Sequence, residues 1–378
     1  MGDPIYLDYN GTTPVDPEVL DAMLPFLRGE FGNPSSATPL GARAKAAIER
    51  ARGEVAALIG ADSFEVVFTS GGTEASNQAI FGFAGCAPSS RRKIVSSTVE
   101  HPATEMPLRR LAEQTFSVVR APVARNGIVD VVEAAAEIDA STELVTIIHA
   151  QNETGVLQPV AELSAAAARA GAPIHVDASQ SLGKVHVDVR AWGIDALTIA
   201  GHKLYAPKGI GALFVRRGHE LPSPLAGAGQ EYGRRPGTEN VAYIAGLGRA
   251  CGIAARRLRE DARTIGGLRD ALWKGLSSGI AGLVRVGDGA ASLPNTLNVL
   301  LPGVAGHEAL AATPRIAAAT GSACHAGATM PSAIILAHGF APHVAAGAIR
   351  LTLGRGTTSA DIEGATAALV ATWERLRH

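Results

Sequence analysis

Three short stretches carry residues able to do chemistry, each at the end of an apolar run. Lys203 stands in Ala200-Gly201-His202-Lys203-Leu204-Tyr205, directly after the strand-like stretch Ala196–Ala200. A lysine at a strand end in an apolar setting is a good amine nucleophile, because desolvation disfavours its charged form. Taken alone, an exposed loop lysine is the more ordinary reading. Asp177 closes the apolar stretch Ile174–Asp177 and opens Asp177-Ala178-Ser179-Gln180. Its carboxylate could pair with a protonated heterocyclic nitrogen, with Gln180 reaching a neighbouring oxygen; it reads equally as a helix N-cap. Ser70-Gly71-Gly72-Thr73-Glu74 follows a third apolar run and opens a helical pattern. Backbone N–H groups and a helix dipole at such a turn can hold a phosphate, although a plain structural turn has the same composition. The turn is neither a P-loop nor a dinucleotide fingerprint, and Gly209-Ile210-Gly211 fails the latter because position 214 is Phe.

The elements that must position these residues alternate. Residues 42–58 predict a helix, residues 65–69 a strand, and a helix starts at about Thr73. Short β-branched runs follow at Lys93–Ser97, 117–120, 144–149, Ile174–Asp177, Ala196–Ala200 and Gly211–Val215. Strands alternating with helices predict a mostly parallel sheet covered on both faces, with ligands at the carboxyl ends of its strands. After a helix expected over residues 239–263 the character changes. Strand patterns at 283–286, 296–301 and 349–353 mix with helices, the last from about Ser359. The expected division is a large α/β domain over residues 15–258 and a smaller α+β domain from 1–14 with 259–378.

Composition narrows the class. A chain of 378 residues buries a large core, and its 47% hydrophobic and 18% charged residues are ordinary for a globular protein. A net charge of −1 without a basic block argues against nucleic acid or an anionic membrane as the main partner. No run approaches the roughly twenty apolar residues of a membrane span, and the start Met1-Gly2-Asp3-Pro4-Ile5 is unlike a signal peptide. Cys86, Cys251 and Cys324 lack metal-ligand spacing, so no metal is expected and a reducing cytoplasm fits best.

Phosphate turn, strand-end acid and strand-end lysine, in that order on one α/β scaffold, are the parts that pyridoxal 5′-phosphate (PLP) requires. The chain resembles, nearly end to end, the cysteine desulfurases and selenocysteine lyases of the class V aminotransferase family, which have the fold-type I PLP architecture. The resemblance rests on Tyr6-Leu7-Asp8-Tyr9-Asn10 with Thr12-Thr13-Pro14, Gly32-Asn33-Pro34-Ser35-Ser36, Thr69-Ser70-Gly71-Gly72-Thr73-Glu74 and Glu100-His101. It continues through Asn152-Glu153-Thr154-Gly155, Asp177-Ala178-Ser179-Gln180, Gly201-His202-Lys203, Arg235-Pro236-Gly237-Thr238-Glu239-Asn240 and Gly321-Ser322-Ala323-Cys324.

The resemblance implies that Lys203 carries PLP as a Schiff base, Asp177 pairs with its ring nitrogen and Gln180 contacts its phenolic oxygen. His101 resembles the histidine that stacks on the ring, and Asn152 the asparagine between cofactor oxygen and substrate carboxylate. Thr73 and His202 resemble phosphate ligands, with Gly72 adding a backbone N–H. Thr238 resembles a phosphate ligand reaching across a homodimer. Arg350 resembles the arginine that binds the substrate α-carboxylate, a role suited to guanidinium geometry, and Asn10 is expected near the substrate.

Cys324, in a small-residue loop, resembles the catalytic cysteine; His325 could help deprotonate it or be an ordinary loop residue. Cys86 and Cys251 are expected to be buried and inert. Four positions depart from the family pattern: Ala200 for a phosphate-binding Ser, Gly11 for the usual Ala, Gln151 for Asn, and Thr38 for His.

The activity so implied is cleavage of the C–S bond of L-cysteine, giving L-alanine and a persulfide on Cys324. Release of selenium from L-selenocysteine is the alternative, and Pro102 after His101 favours neither. A PLP-binding sulfur-relay scaffold without turnover and a transaminase are further readings. An acceptor protein for the sulfur or selenium is expected, its identity open.

Overall fold

The computed structural model describes residues 4–88, 90–321 and 331–377. In chain order its strands are β1 (Ile5–Tyr6), β2 (Val66–Thr69), β3 (Lys93–Ser97), β4 (Ser117–Ala121), β5 (Thr142–Ile148) and β6 (Ile174–Asp177). They continue as β7 (Ala196–Ala200), β8 (Gly211–Val215), β9 (Val284–Arg285), β10 (Thr296–Leu300), β11 (Ile316–Ala317) and β12 (Ala348–Thr352). The helices that frame the first part are α1 (Pro17–Arg28), α2 (Pro39–Ile59), α3 (Gly72–Cys86), α4 (Pro102–Ala112), α5 (Val131–Ala136), α6 (Val160–Arg169) and α7 (Val241–Gly279).

One sheet has the order β2-β8-β7-β6-β5-β3-β4. β4, β3, β5, β6 and β7 run parallel, as the alternating pattern predicts. β8 instead runs antiparallel to both β7 and β2. Only residues 201–210 join β7 to β8, and a parallel return needs a crossover of roughly a dozen residues or more. Side chains alternate between two buried faces. Val66, Phe68, Val95, Val145 and Ile147 enter the core under α2 and α7, whereas Val67, Ile94, Leu144 and Leu213 pack on Ala79, Ile80 and Phe83 of α3 and Leu108 of α4. Helices on both faces explain why these strands read as unbroken apolar runs.

A second body holds the antiparallel sheet β12-β10-β9 and the parallel pair β1-β11. Its core gathers Leu7, Leu297, Ile349 and Leu351 with Leu369 and Trp373 of the C-terminal helix Ser359–Leu376. The N-terminal segment therefore belongs to this core before the chain enters the large sheet.

Helix bounds differ from the sequence expectation where caps and tertiary packing decide them. α1 was not anticipated; Asp16 caps it by accepting from Glu18 N at 3.0 Å, and Pro17 takes its first turn. α2 starts at Pro39 because Thr38 Oγ1 accepts from Gly41 N at 3.1 Å. α7 runs 39 residues, past the expected end at 263 and through Gly266-Gly267. Its first half packs Leu247, Cys251 and Ala254 into the large core, and its second half packs Ile265, Leu272 and Leu276 into the small one. Burial at both ends outweighs the roughly 1 kcal/mol that each interior glycine costs. Among the described residues no helix is long and apolar enough to cross a membrane.

Candidate active site

At the carboxyl end of β2 the chain turns through Ser70-Gly71 into α3. Thr69 Oγ1 donates to Gly71 O at 3.0 Å, and Ser70 N donates to Glu74 Oε2 at 2.8 Å. Among the described residues no side chain caps the helix at Gly71, which leaves its leading N–H groups for an anion. A methyl group on Gly72 would lie 3.0 Å from Ser179 Oγ and 3.1 Å from the Ala200 methyl. This close approach presses the turn against the ends of β6 and β7, which carry Asp177 and the Gly201–Lys203 turn. Thr73 is exposed at the same helix start.

Asp177 is buried, and its Oδ1 accepts from Ser179 N at 2.8 Å. Beneath it His175 bridges Thr146 and Thr198 at 2.8 and 2.9 Å, and burial drives it down to about 4. The acid thus stands over a neutral imidazole.

Lys203 follows β7 in a single 3-10 turn. Its Nζ donates to Asn10 O at 2.5 Å and Gly11 O at 2.6 Å. Gln180 Nε2 donates to the same Asn10 carbonyl at 3.0 Å. His202 pairs with Thr12 Oγ1 at 3.2 Å; burial and the nearby lysines 203, 208 and 184 pull it down to about 4, so the ring is neutral.

The N-terminal segment carries the network to the small domain. Asn10 Nδ2 donates to Asn152 O at 3.2 Å and Thr296 Oγ1 at 2.9 Å, while its Oδ1 accepts from Lys184 and Asn295. These bonds commit both amide hydrogens of Asn10 to protein groups, so its side chain positions the site rather than offering a donor to a ligand. Arg350 Nη1 donates to Asn152 O at 3.2 Å, and Nη2 to Asp8 Oδ1 at 2.6 Å. Lys203, Gln180, Asn10, Asn152 and Arg350 therefore form one connected group, although they lie far apart in sequence.

His101 caps α4, its Nδ1 accepting from Ala103 N at 3.0 Å. The neutral ring then carries its proton on Nε2. Pro102 fills the first turn of that helix. Thr238 is exposed, and its neighbour Arg235 pairs with Glu74 of α3 at 2.9 Å. Burial alone would raise the Glu74 carboxyl, but hydrogen bonds from Arg235 and Ser70 hold it below the ordinary range. Gln151 caps its own turn, Oε1 accepting from Glu153 N and Thr154 N at 2.5 and 3.0 Å.

Cys324 and His325 lie outside the described residues. Cys251 is fully buried, and burial pushes its thiol well above the ordinary range. The expectation that Cys86 is buried does not hold. It is the last residue of α3 and is exposed, with Sγ 3.4 Å from Glu220 O.

Lys184 and Glu100 also belong to this site. Lys184, one turn after Gln180, donates to Gln180 Oε1 at 2.8 Å and thereby fixes which end of that amide faces Asn10. Burial, with Lys203 and Arg350 close by, drives its ammonium far below the ordinary lysine range. Glu100 is buried beside Asp177; burial lifts it to about 8 against hydrogen bonds from Ser97 Oγ and Ile148 N. Spacing from Gln180 and adjacency to His101 were the signals available for them.

A family model described as aminotransferase class-V matches residues 5–364. A cysteine desulfurase of Trichormus azollae is 42% identical over 375 residues, which is 99% of this chain and 94% of that protein. The solved structure of a NifS-like protein superposes with a TM-score of 0.91 at 32% identity, covering 99% of both chains. A structure described as SspA in complex with cysteine gives a TM-score of 0.82 at 31% identity, over 93% of this chain and 99% of that one.

Proposed function

The chain belongs to the aminotransferase class-V family, and from that premise we propose that it is a PLP-dependent cysteine desulfurase that converts L-cysteine to L-alanine and leaves the sulfur as a persulfide on Cys324. The reading is carried by the single hydrogen-bonded group that joins Lys203, Gln180, Asn152 and Arg350 through Asn10, in a chain similar along 99% of its length to a cysteine desulfurase.

The residues suit the cofactor. The start of α3, with Gly72 and Thr73 in its first turn, offers N–H groups for a phosphate, and His202 would join them from the turn after β7. Asp177 would hold the ring nitrogen, Gln180 the ring oxygen and His101 the ring face, while Lys203 would supply the amine. When bound, PLP accepts the electron pair left as a substrate Cα–H bond breaks.

Lys203 Nζ takes the Cα proton and later returns one. Arg350, buried and charged, orients the α-carboxylate, with Asn152 beside it. The Cys324 thiolate attacks the substrate sulfur; the C–S bond breaks as the S–S bond forms, and the remaining three-carbon unit gains a proton to leave as alanine. Substrate cysteine supplies the sulfur, and no outside oxidant is needed.

The division into residues 15–258 and 1–14 with 259–378 is supported by the two separate cores. Thr238 is exposed, three residues after the Arg235 that pairs with Glu74, which fits a homodimer in which it reaches the partner's phosphate site. A reducing compartment such as the cytoplasm suits a working thiol, and an acceptor protein would take the sulfur onward.

The test is alanine formation from L-cysteine, with Cys324→Ala alongside. Alanine from the wild type and none from the variant is expected. Equal rates of alanine formation from the two proteins would overturn the persulfide route.

A further inference from the structure

Arg350 is 2% exposed, and such a buried cation needs a counter-charge. Asp8 supplies one, with Oδ1 2.6 Å from Nη2, and its own side chain remains 24% exposed. The pairing is incomplete. Arg350 Nε is buried and has no hydrogen-bond partner among the described residues, so Asp8 neutralises the guanidinium without saturating it.

Gly11 explains how the carboxylate comes to be there. A Cβ at Gly11 would stand 2.3 Å from Asp8 Oδ2 and 2.8 Å from its Cγ. The space that a side chain at position 11 would take is thus filled by the Asp8 carboxylate. Gly11 N bonds back to Asp8 O at 2.9 Å, closing the turn that folds the two together. Asp8 also pairs in parallel register with Thr352, two residues past Arg350, so the two side chains arise from neighbouring strands.

We propose that Asp8 is an internal stand-in for the substrate α-carboxylate, held against Arg350 by the missing side chain at Gly11 and displaced toward solvent when substrate arrives. The inference rests on the reading of Arg350 as the carboxylate-binding residue. An α-carboxylate can take two N–H groups of a guanidinium at once, whereas Asp8 takes one, so the exchange favours the substrate. Asp8 stabilises the empty site and sets the affinity of any carboxylate ligand by competing with it. It is a specificity-determining residue, favouring ligands whose carboxylate can make the two-point contact.

The experiment measures dissociation constants of the PLP-loaded enzyme for L-alanine and for ethylamine, which is alanine without its carboxylate, by the change in cofactor absorbance. Thermal unfolding of the unliganded enzyme is measured in parallel. Asp8→Asn should tighten L-alanine by up to about fivefold, the range of a partly exposed ion pair. It should leave ethylamine unchanged and lower the Tm of the unliganded enzyme. Gly11→Ala, whose backbone lies outside the left-handed region, should tighten L-alanine in the same direction by evicting the carboxylate.

Weaker or unchanged L-alanine binding in Asp8→Asn overturns the stand-in role, because a residue that merely orients Arg350 loses affinity when removed. Equal tightening of both ligands overturns it too, since the effect would not run through the carboxylate. Arg350→Gln separates the underlying reading: unchanged L-alanine affinity in that variant removes Arg350 as the carboxylate site, whatever Asp8 does.

Discussion

Replacing Glu100 by glutamine removes an ionisable proton while keeping the hydrogen bonds that hold the side chain. Oε1 accepts from Ser97 Oγ at 2.5 Å and Ile148 N at 3.1 Å, and an amide oxygen can accept both. Oε2 is buried and has no hydrogen-bond partner among the described residues, so the exchange puts an unpartnered amide NH2 there, a cost that does not vary with pH and leaves the pH slope as the readout. Burial lifts the native carboxyl from 4.5 to about 8. Between those values the unfolded chain has released this proton and the folded protein still holds it. Folding stability from this group is therefore complete below about pH 4.5, falls as pH rises, and is lost on passing through about 8. The slope is about 1.4 kcal/mol per pH unit, so wild type should lose about 3 kcal/mol between pH 5.5 and 7.5 that Glu100→Gln does not. Denaturant unfolding of both proteins at those two pH values is the assay. Parallel losses in the two proteins would refute a neutral Glu100.

Two other outcomes follow from buried groups. Arg52 and Glu231 pair at 2.7 Å with both side chains 2% exposed, and Glu231 also accepts from Phe68 N. Glu231→Gln should lose about 3 kcal/mol or more and lower Tm by several degrees; an unchanged melting curve would contradict the pair's role. In a Cys324→Ala background, a thiol reagent should modify exposed Cys86 in the native protein and Cys251 only after unfolding. Modification of both at once under native conditions would contradict the burial of Cys251.

The sheet was legible because strands buried on both faces read as continuous apolar runs, and the stretches at β3, β6, β7 and β8 match the predicted ones. The direction of β8 was not, since burial has the same pattern whichever way a strand runs. The length of α7 was hidden because two glycines lower local propensity while the packing that overrides them is remote. In the site, Lys203 and Asp177 stand out as polar residues closing apolar strands. Lys184, Glu100 and Asp8 do not, because each gains its meaning from a partner across the chain: Asn10, Ile148 and Arg350. The exposure of Cys86 depends on where α3 stops, which periodicity does not mark.

The central claim is that sulfur from L-cysteine comes to rest on Cys324 by a reaction that needs the Lys203 amine. Mass spectrometry of the peptide bearing Cys324, after one turnover of the PLP-loaded enzyme with L-cysteine, tests it most directly. A mass gain of one sulfur atom that reductant removes, absent in Lys203→Ala, is the expected result. Alanine produced with Cys324 unmodified throughout, or the same gain in Lys203→Ala, would contradict it.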